Sequence, residues 1–108
     1  MRPTTRLWHS CRITLFTRDN CGLCVRAKSA LSHVWDRRPF EYCEVNISSP
    51  DAKPWKDLYD FDVPVIHLSK ASAPKEDPQL VTKAVKLMHR FSPEEIQAKM
   101  DQVEKSQS

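Results

Sequence analysis

The feature that most constrains this chain is a pair of cysteines, Cys21 and Cys24, separated by two residues. An apolar run with strand character, Ile13–Thr17, precedes the pair, and a segment with helical spacing, Val25–Trp35, follows it. Backbone N–H groups and the macrodipole favour an anion where a helix begins. We therefore expect the Cys21 thiol to have a pKa well below the free value of ~8.5. Positions i and i+3 share a helix face, so this spacing predicts a dithiol redox site.

The periodicity of apolar residues predicts the order β-α-β-α-β-β-α. The predicted strands are 11–17, 40–46, 63–68 and 83–89, and the helices are 24–35, 49 to about 59, and 93 to about 103, with a loop at 69–78. The pattern over 83–89 also tolerates a helix. Strands joined through a helix run parallel with a right-handed crossover, whereas the last two strands can pair as a hairpin. The predicted fold class is therefore α/β, a four-stranded mixed sheet flanked by about three helices.

The last helix has the strongest local start signal. Ser92 can cap it, Pro93 suits the first helical position, and Glu95 completes a capping box. Further along, the apolar side chains repeat at helical spacing and predict one buried stripe: Ile96, Met100 and Val103.

Length and charge limit the classes of protein to consider. A chain of 108 residues suits a single domain, which we predict over 11–104, with flexible tails at 1–10 and 105–108. The formal charge of +3 equals that of Arg2, Arg6 and Arg12, since the remaining 14 basic residues balance 14 acidic ones. We therefore expect no nucleic-acid partner. No apolar run approaches the ~20 residues of a membrane span, and no signal-peptide core is present.

The other cysteines, Cys11 and Cys43, lie in strand-like segments and are expected to be small buried hydrophobes. A zinc site built from all four cysteines is the alternative, but structural zinc prefers paired short-spaced ligands and only one such pair exists, so we predict no metal. The low cysteine density favours a reducing compartment. We expect a cytoplasmic monomer. A mitochondrial location is the alternative, because Met1–Ser10 carries Arg, Ser and Thr without acids.

A resemblance to known proteins rests on these motifs. Strand, Cys-x-x-Cys and helix, followed by Val63-Pro64 before a later strand, resemble the thioredoxin fold. Phe16–Cys24 is similar to glutaredoxin, which has an aromatic residue, a Ser or Thr, and a basic residue three before the first cysteine. Leu87–Ser92 resembles divergent glutaredoxin-like proteins, and the similarity spans about Ile13 to Met100.

The resemblance implies different roles for the two cysteines. Cys21 would be the nucleophile that forms a mixed disulfide with the target, and Cys24 the resolving thiol. Arg18 would sit near Cys21 and favour its thiolate, unless it is an ordinary solvated charge. Gly22 and Leu23 separate the cysteines. Gly22 would let a partner backbone approach, and as the only glycine of the chain it is expected to have a local conformational role.

The resemblance also implies a binding surface for the substrate. Pro64 would be a cis-proline that faces the dithiol, which frees the main chain of Val63 to pair with a substrate backbone. Asp62 places a negative charge beside a site that should receive anionic glutathione. The Gly-Gly of glutaredoxins near the last helix is absent, so either glutathione binds weakly, with Ser92 and the helix N-terminus holding its γ-glutamyl carboxylate, or the reductant is not glutathione.

These observations lead to one principal hypothesis and two alternatives. The principal one is a glutaredoxin-like thiol–disulfide oxidoreductase acting on protein or glutathione mixed disulfides. Its reductant would be glutathione or a partner of the thioredoxin-reductase type, with no tightly bound cofactor. One alternative is a protein whose Cys21, with glutathione, binds an iron–sulfur cluster between two subunits. The other is an interaction module that keeps the fold without turnover.

Overall fold

The structure of the protein, a computed structural model, describes residues 10–105, without the side chains of residues 82 and 83. Apart from Ser10 and Lys105, the predicted tails lie outside the described residues. The described elements are β1 (Cys11–Thr17), α1 (Gly22–Arg37), β2 (Glu41–Asn46), α2 (Lys53–Tyr59), β3 (Val65–Lys70), β4 (Val85–Met88) and α3 (Pro93–Lys105). Between residues 10 and 105, no helix is long and apolar enough to span a bilayer.

The strands form one mixed sheet in the order β2-β1-β3-β4. β1 and β2 are parallel because α1 connects them, and the other neighbouring pairs are antiparallel. In register, Phe16 pairs with Val65, and Val65 pairs with Met88. The end of β1, the start of β3 and the end of β4 therefore meet at the same edge of the sheet. The architecture confirms the predicted α/β fold class.

Two apolar clusters cover the two faces of the sheet. Ile13 and Leu15 of β1 pack with α1 and α3, whereas Phe16 packs with Tyr59 of α2. All seven residues of β1 are buried, including the polar side chains of Arg12, Thr14 and Thr17, so both faces of this central strand are covered. The Phe16 ring lies 4.4 Å from that of Trp55, centroid to centroid. Phe16 is thus fixed just before the loop that leads to the cysteines.

Several predicted boundaries differ from the structure, and those of α1 and β3 lie next to the cysteine pair and the proline. α1 begins at Gly22 instead of residue 24. β3 begins at Val65 instead of residue 63 and continues to Lys70, so the predicted loop at 69–78 starts later. The loop then ends in a 3-10 turn, Pro78–Lys83, that the sequence pattern did not indicate. Proline cannot donate to a strand ladder, which accounts for the late start of β3 after Pro64.

Arg12 fastens this long loop to the sheet. Its guanidinium is buried and donates to the carbonyls of Ala71 at 2.7 Å and Ala73 at 3.0 Å, and to Glu41 Oε1 at 2.9 Å. These bonds satisfy the buried charge, as burial requires. The sequence indicated only a basic residue near the N-terminus, because such a network depends on residues far apart in the chain.

The two cysteines outside the pair have different environments. Cys11 is 1% exposed, as predicted. Burial, and then a hydrogen bond to the Glu104 carboxylate, raise the pKa of the Cys11 thiol to about 12. Cys43 is only half-buried, so the prediction that it is a buried hydrophobe was wrong. It lies on β2, an edge strand of the sheet, where burial is incomplete.

The start of α3 has the predicted capping box. The Ser92 N–H donates to Glu95 Oε1 at 2.9 Å, and the Glu95 N–H donates to Ser92 Oγ at 3.1 Å. Ile96, Met100 and Val103 form the buried stripe of this helix, also as predicted. The cap fixes where the chain turns from β4 into α3.

We predict that Ser92→Ala lowers the free energy of unfolding by about 1 kcal/mol, because the N–H of Glu95 loses its capping acceptor. Ser49→Ala is the matched control, since Ser49 precedes the 3-10 turn Pro50–Ala52 and its hydroxyl makes an exposed hydrogen bond to Asp51 but does not cap a backbone N–H. Urea titrations of the three proteins measure the difference. Equal losses in both variants would show that the hydroxyl of Ser92 is not stabilising α3 as a cap.

Candidate active site

A short loop carries the chain from β1 to the cysteine pair. It spans Arg18 to Asn20, and Asn20 has a φ of 57°, a left-handed conformation that asparagine tolerates better than most residues. Asp19 accepts a hydrogen bond from the Asn46 side chain at 3.0 Å, which ties the loop to the end of β2. Cys21 therefore emerges from the sheet edge at a fixed place.

Cys21 and Cys24 form a disulfide, with their Cα atoms 5.2 Å apart. Cys21 is the N-cap of α1 and partly exposed, whereas Cys24 lies in the first turn and is 2% exposed. The Cys24 N–H donates to Cys21 Sγ at 3.1 Å. The same N–H and the start of the helix would stabilise a thiolate on Cys21 once the disulfide is reduced. The accessible sulfur is thus the one that the helix favours as an anion.

Gly22 does not need the conformational freedom of glycine. Its φ is not positive, and a Cβ added at this position would meet nothing within 4 Å. The prediction of a local conformational role was wrong, since the residue simply begins α1. The open space beside Gly22 leaves the neighbourhood of Cys21 accessible from outside. Leu23, the other intervening residue, is half-buried.

Arg18 is engaged by the turn that follows α2. Its guanidinium donates to the carbonyl of Asp60 and, at 3.1 Å, to Asp60 Oδ1. The side chain is neither an isolated solvated charge nor dedicated to Cys21. Through this pair, the loop that carries the cysteines is held against residues 59–62.

The peptide bond between Val63 and Pro64 is cis, as predicted. The Pro64 carbonyl accepts a hydrogen bond from the His89 N–H at 2.7 Å, which joins the end of β4 to this segment. Val63 is half-buried and precedes the first ladder pair of β3, Val65 with Phe16. The Val63 main chain therefore lies at the sheet edge without being part of the ladder.

Ser92, predicted to help hold a glutathione carboxylate, is committed to its own helix. The capping box uses its N–H and its hydroxyl, and its carbonyl accepts from the Ile96 N–H at 3.0 Å. The carboxylate at the start of α3 is thus that of Glu95. The expected role of Ser92 toward glutathione remains a prediction.

Sequence reasoning missed Phe61, whose side chain is 93% exposed. It lies in the turn between α2 and the cis-proline, flanked by Asp60 and Asp62. Asp62 faces His89, with 3.3 Å between Oδ1 and Nε2. The available signal was a lone aromatic residue outside the helical and strand periodicities, three residues before the predicted cis-proline.

A network of hydrogen-bonded polar side chains lies on the face of the sheet covered by α2. His67 Nε2 is 2.6 Å from the Tyr59 hydroxyl, and His67 Nδ1 is 2.6 Å from Glu76 Oε1. Burial, followed by the charges of Glu76 and Asp62, raises the pKa of Tyr59 to about 12. Each of these three side chains has a hydrogen-bond partner, so this hydrogen-bonded network stabilises the fold next to Phe16.

The described part of the chain brings no three His, Cys, Asp or Glu side chains together as a metal site. The candidate site is therefore a pair of cysteines at a helix N-terminus, at the same edge of the sheet as a cis-proline.

Comparison with known proteins places this geometry in a family. The model of the Glutaredoxin-like domain (DUF836) matches residues 12–101. The chain belongs to this glutaredoxin-like family. The match covers β1, the cysteine pair, the cis-proline and most of α3, so the whole of the glutaredoxin-like site lies within it.

Solved structures agree on the fold of this glutaredoxin-like chain. A structural-genomics target protein from X. campestris is 26% identical, with a TM-score of 0.58, over 83% of this chain and 96% of that one. A protein from Nitrosomonas europaea is 20% identical, with a TM-score of 0.59, over 83% and 91%. Thioredoxin O2 from Arabidopsis thaliana, in the oxidized state, is 16% identical, with a TM-score of 0.61, over 89% and 76%. The fold is thioredoxin-like.

We predict that Gly22→Ala leaves the folded state intact and raises the midpoint of thermal unfolding slightly, because alanine is the better helix former and meets open space. Thermal melts of the oxidised protein measure this change. A clear loss of stability would contradict the open environment of Gly22. Any slowing of disulfide exchange in this stable variant would then report contact with a partner.

Proposed function

We propose that this protein is a thiol–disulfide oxidoreductase of the glutaredoxin-like type. The supporting observation is the Cys21–Cys24 disulfide at the start of α1, with one sulfur partly exposed and capping the helix and the other buried. One accessible and one buried sulfur suit two successive exchange steps, in which Cys21 reacts with the target and Cys24 then releases it. The family and the fold agree with redox chemistry at this pair.

The first step is carried out by the reduced protein. The Cys21 thiolate attacks one sulfur of a target disulfide, and a new bond joins Cys21 to that sulfur. The target S–S bond breaks, and its second sulfur leaves as a thiolate that takes a proton from solvent. The Cys24 N–H, 3.1 Å from Cys21 Sγ, favours the attacking thiolate.

The second step releases the target. Cys24, one helical turn away, loses its proton and attacks Cys21 Sγ, which restores the Cys21–Cys24 disulfide and expels the target sulfur as a thiolate. The target has then gained two electrons and the protein has lost two. The small separation of the cysteines lets this step outrun attack by an external thiol.

The cis-proline segment would hold the target during exchange. The main chain of Val63 lies outside the ladder, so it is suited to pair with an extended segment of substrate. Pro64 is buried and its carbonyl is bonded to the His89 N–H, which fixes the segment in place. Arg18 contributes indirectly, by holding the turn that leads to Val63.

The reduced form must be regenerated by a thiol or dithiol donor. Glutathione and a protein partner of the thioredoxin-reductase type are the two classes proposed, and the protein itself needs no tightly bound cofactor. We propose that it acts as a monomer in a reducing compartment such as the cytoplasm, where a dithiol of this kind is kept reduced.

We predict that iodoacetamide alkylates the reduced protein first at Cys21, with a pH midpoint below the ~8.5 of a free thiol. Cys24→Ser should retain this early reaction and Cys21→Ser should lose it. Cys11 should stay unmodified in the folded protein at pH 8, because it is buried and its pKa is about 12. Mass spectrometry of timed samples across pH measures all three sites. Identical midpoints for Cys21 and Cys24 would overturn the assigned roles.

We also predict that Cys24→Ser accumulates a stable mixed disulfide with a target peptide, because the resolving thiol is missing. Cys21→Ser should form much less of it, since Cys24 is 2% exposed, and the half-buried Cys43, which is present in both variants, sets the background. Non-reducing electrophoresis after mixing with a disulfide-bonded peptide shows the adduct. A wild-type protein that neither exchanges with the peptide nor forms an adduct in either variant would instead be an interaction module without turnover.

A further inference from the structure

This inference rests on the proposed exchange at Cys21 and concerns its substrate class. We propose that the turn carrying Phe61 docks a polypeptide through an apolar side chain near the target disulfide. The same edge of the sheet disfavours glutathione, because a carboxylate of this chain already occupies the start of α3. Protein disulfides in apolar, non-acidic surroundings are then the preferred substrates.

Phe61 is fixed in its exposed position from both sides. The Asp62 N–H donates to the Tyr59 carbonyl at 2.9 Å, closing a turn whose central residues are Asp60 and Phe61. Arg18 binds both the carbonyl and the carboxylate of Asp60. Single exposed apolar side chains are common on protein surfaces. An aromatic ring 93% exposed on a turn held at its preceding and following residues is preorganised for contact.

This turn belongs to the same edge of the sheet as the sulfurs. Arg18, which holds it, lies three residues before Cys21, and Val63 follows Phe61 by two residues. A substrate segment paired with the Val63 main chain would therefore pass the Phe61 ring within a residue or two of its reacting cysteine. Continuity with the exchange site identifies the occupant as the target polypeptide itself.

The start of α3 offers little to an added carboxylate. Pro93 has no N–H, the N–H of Glu95 is taken by Ser92 Oγ, and that of Ile96 by the Ser92 carbonyl. The Ser92 N–H is bonded to Glu95 Oε1. Within residues 10–105, the N–H of Glu94 is the one left at this helix start, and it belongs to the first of two consecutive glutamates. An incoming carboxylate would have to displace Glu95 and face Glu94.

Along the rest of this edge, the carboxylate of Asp62 acts in the same direction, whereas the cation Arg90 acts against it. Asp62 is 42% exposed, and the group facing it is His89, 3.3 Å away. The charge of Arg18 is neutralised by Asp60. Arg90 is the cation of the segment between β4 and α3. Glutathione carries net negative charge and no apolar side chain, so it gains nothing from Phe61 and is repelled by the carboxylates.

The test compares three disulfides with the dithiothreitol-reduced protein. One is a peptide with an internal disulfide and leucine beside one cysteine, the second is the same peptide with serine in place of leucine, and the third is glutathione disulfide. Bis(2-hydroxyethyl) disulfide serves as an uncharged small reference. Second-order rate constants are measured from the change in protein fluorescence or by quenched mass spectrometry.

The expected order is leucine peptide, serine peptide, then glutathione disulfide, with the last no faster than the uncharged reference. Phe61→Ala should slow the leucine peptide at least about fivefold and leave the serine peptide unchanged. Leu80→Ala is the matched control: Leu80 is 53% exposed but lines a cavity with Val85, at the opposite end of β4 from the site. It should change neither rate.

Glu95→Gln tests the carboxylate at α3 separately. Glutamine preserves a capping box but removes the charge, so the fold should be kept. The reaction with glutathione disulfide should accelerate about two- to fivefold, while that with the uncharged reference stays constant.

The outcomes separate this inference from the proposed function. If the wild-type protein exchanges with none of the disulfides, the oxidoreductase proposal fails and the inference with it. If it exchanges with all of them but glutathione disulfide is the fastest, or Phe61→Ala affects both peptides equally, only the substrate class is wrong. If Glu95→Gln accelerates the reactions of glutathione disulfide and of the uncharged reference equally, the claim that the Glu95 carboxylate repels glutathione is wrong.

Discussion

The pairing of Phe16 with Val65 is the constraint on which the site depends. It aligns the end of β1 with the start of β3, and the pairing of Val65 with Met88 adds the end of β4. Three chain segments far apart in sequence are thereby brought to one edge of the sheet. Phe16 is held by the aromatic cluster under α2, so the edge is anchored in the core. A shift of one residue in this register would turn every side chain of β1 to the opposite face.

Much of this arrangement follows from local sequence patterns. The bounds of β1 and the cap of α3 were predicted because each depends on neighbouring residues, a buried apolar run and a capping box. The cis bond at Pro64 followed from resemblance, since no local pattern specifies it. The network of Arg12 and the contact of Arg18 with Asp60 could not be predicted, because their partners lie about 30 to 60 residues away.

Disulfide exchange and the proposed choice of substrate involve different parts of this glutaredoxin-like chain. The sulfur chemistry needs only the start of α1, where Cys21 caps the helix and Cys24 follows one turn later. The substrate choice that we propose depends on the turn before Pro64 and on the start of α3, which are distant from α1 in the sequence. The Arg18–Asp60 pair connects the two parts, because Arg18 belongs to the cysteine loop and Asp60 to the turn. A change in the turn can therefore move the loop as well.

Glu95 shows how stability and selectivity can share one group. Its carboxylate binds the Ser92 N–H and favours the positive end of α3, so it stabilises the helix. In the selection that we propose, the same contact takes up the Ser92 N–H that an incoming carboxylate would need. A chain that used this helix start for glutathione would need its N–H groups free, and would have to replace the stability that the carboxylate contributes. In this protein the helix is capped internally, and the recognition we propose uses the exposed ring of Phe61 and the main chain of Val63 instead.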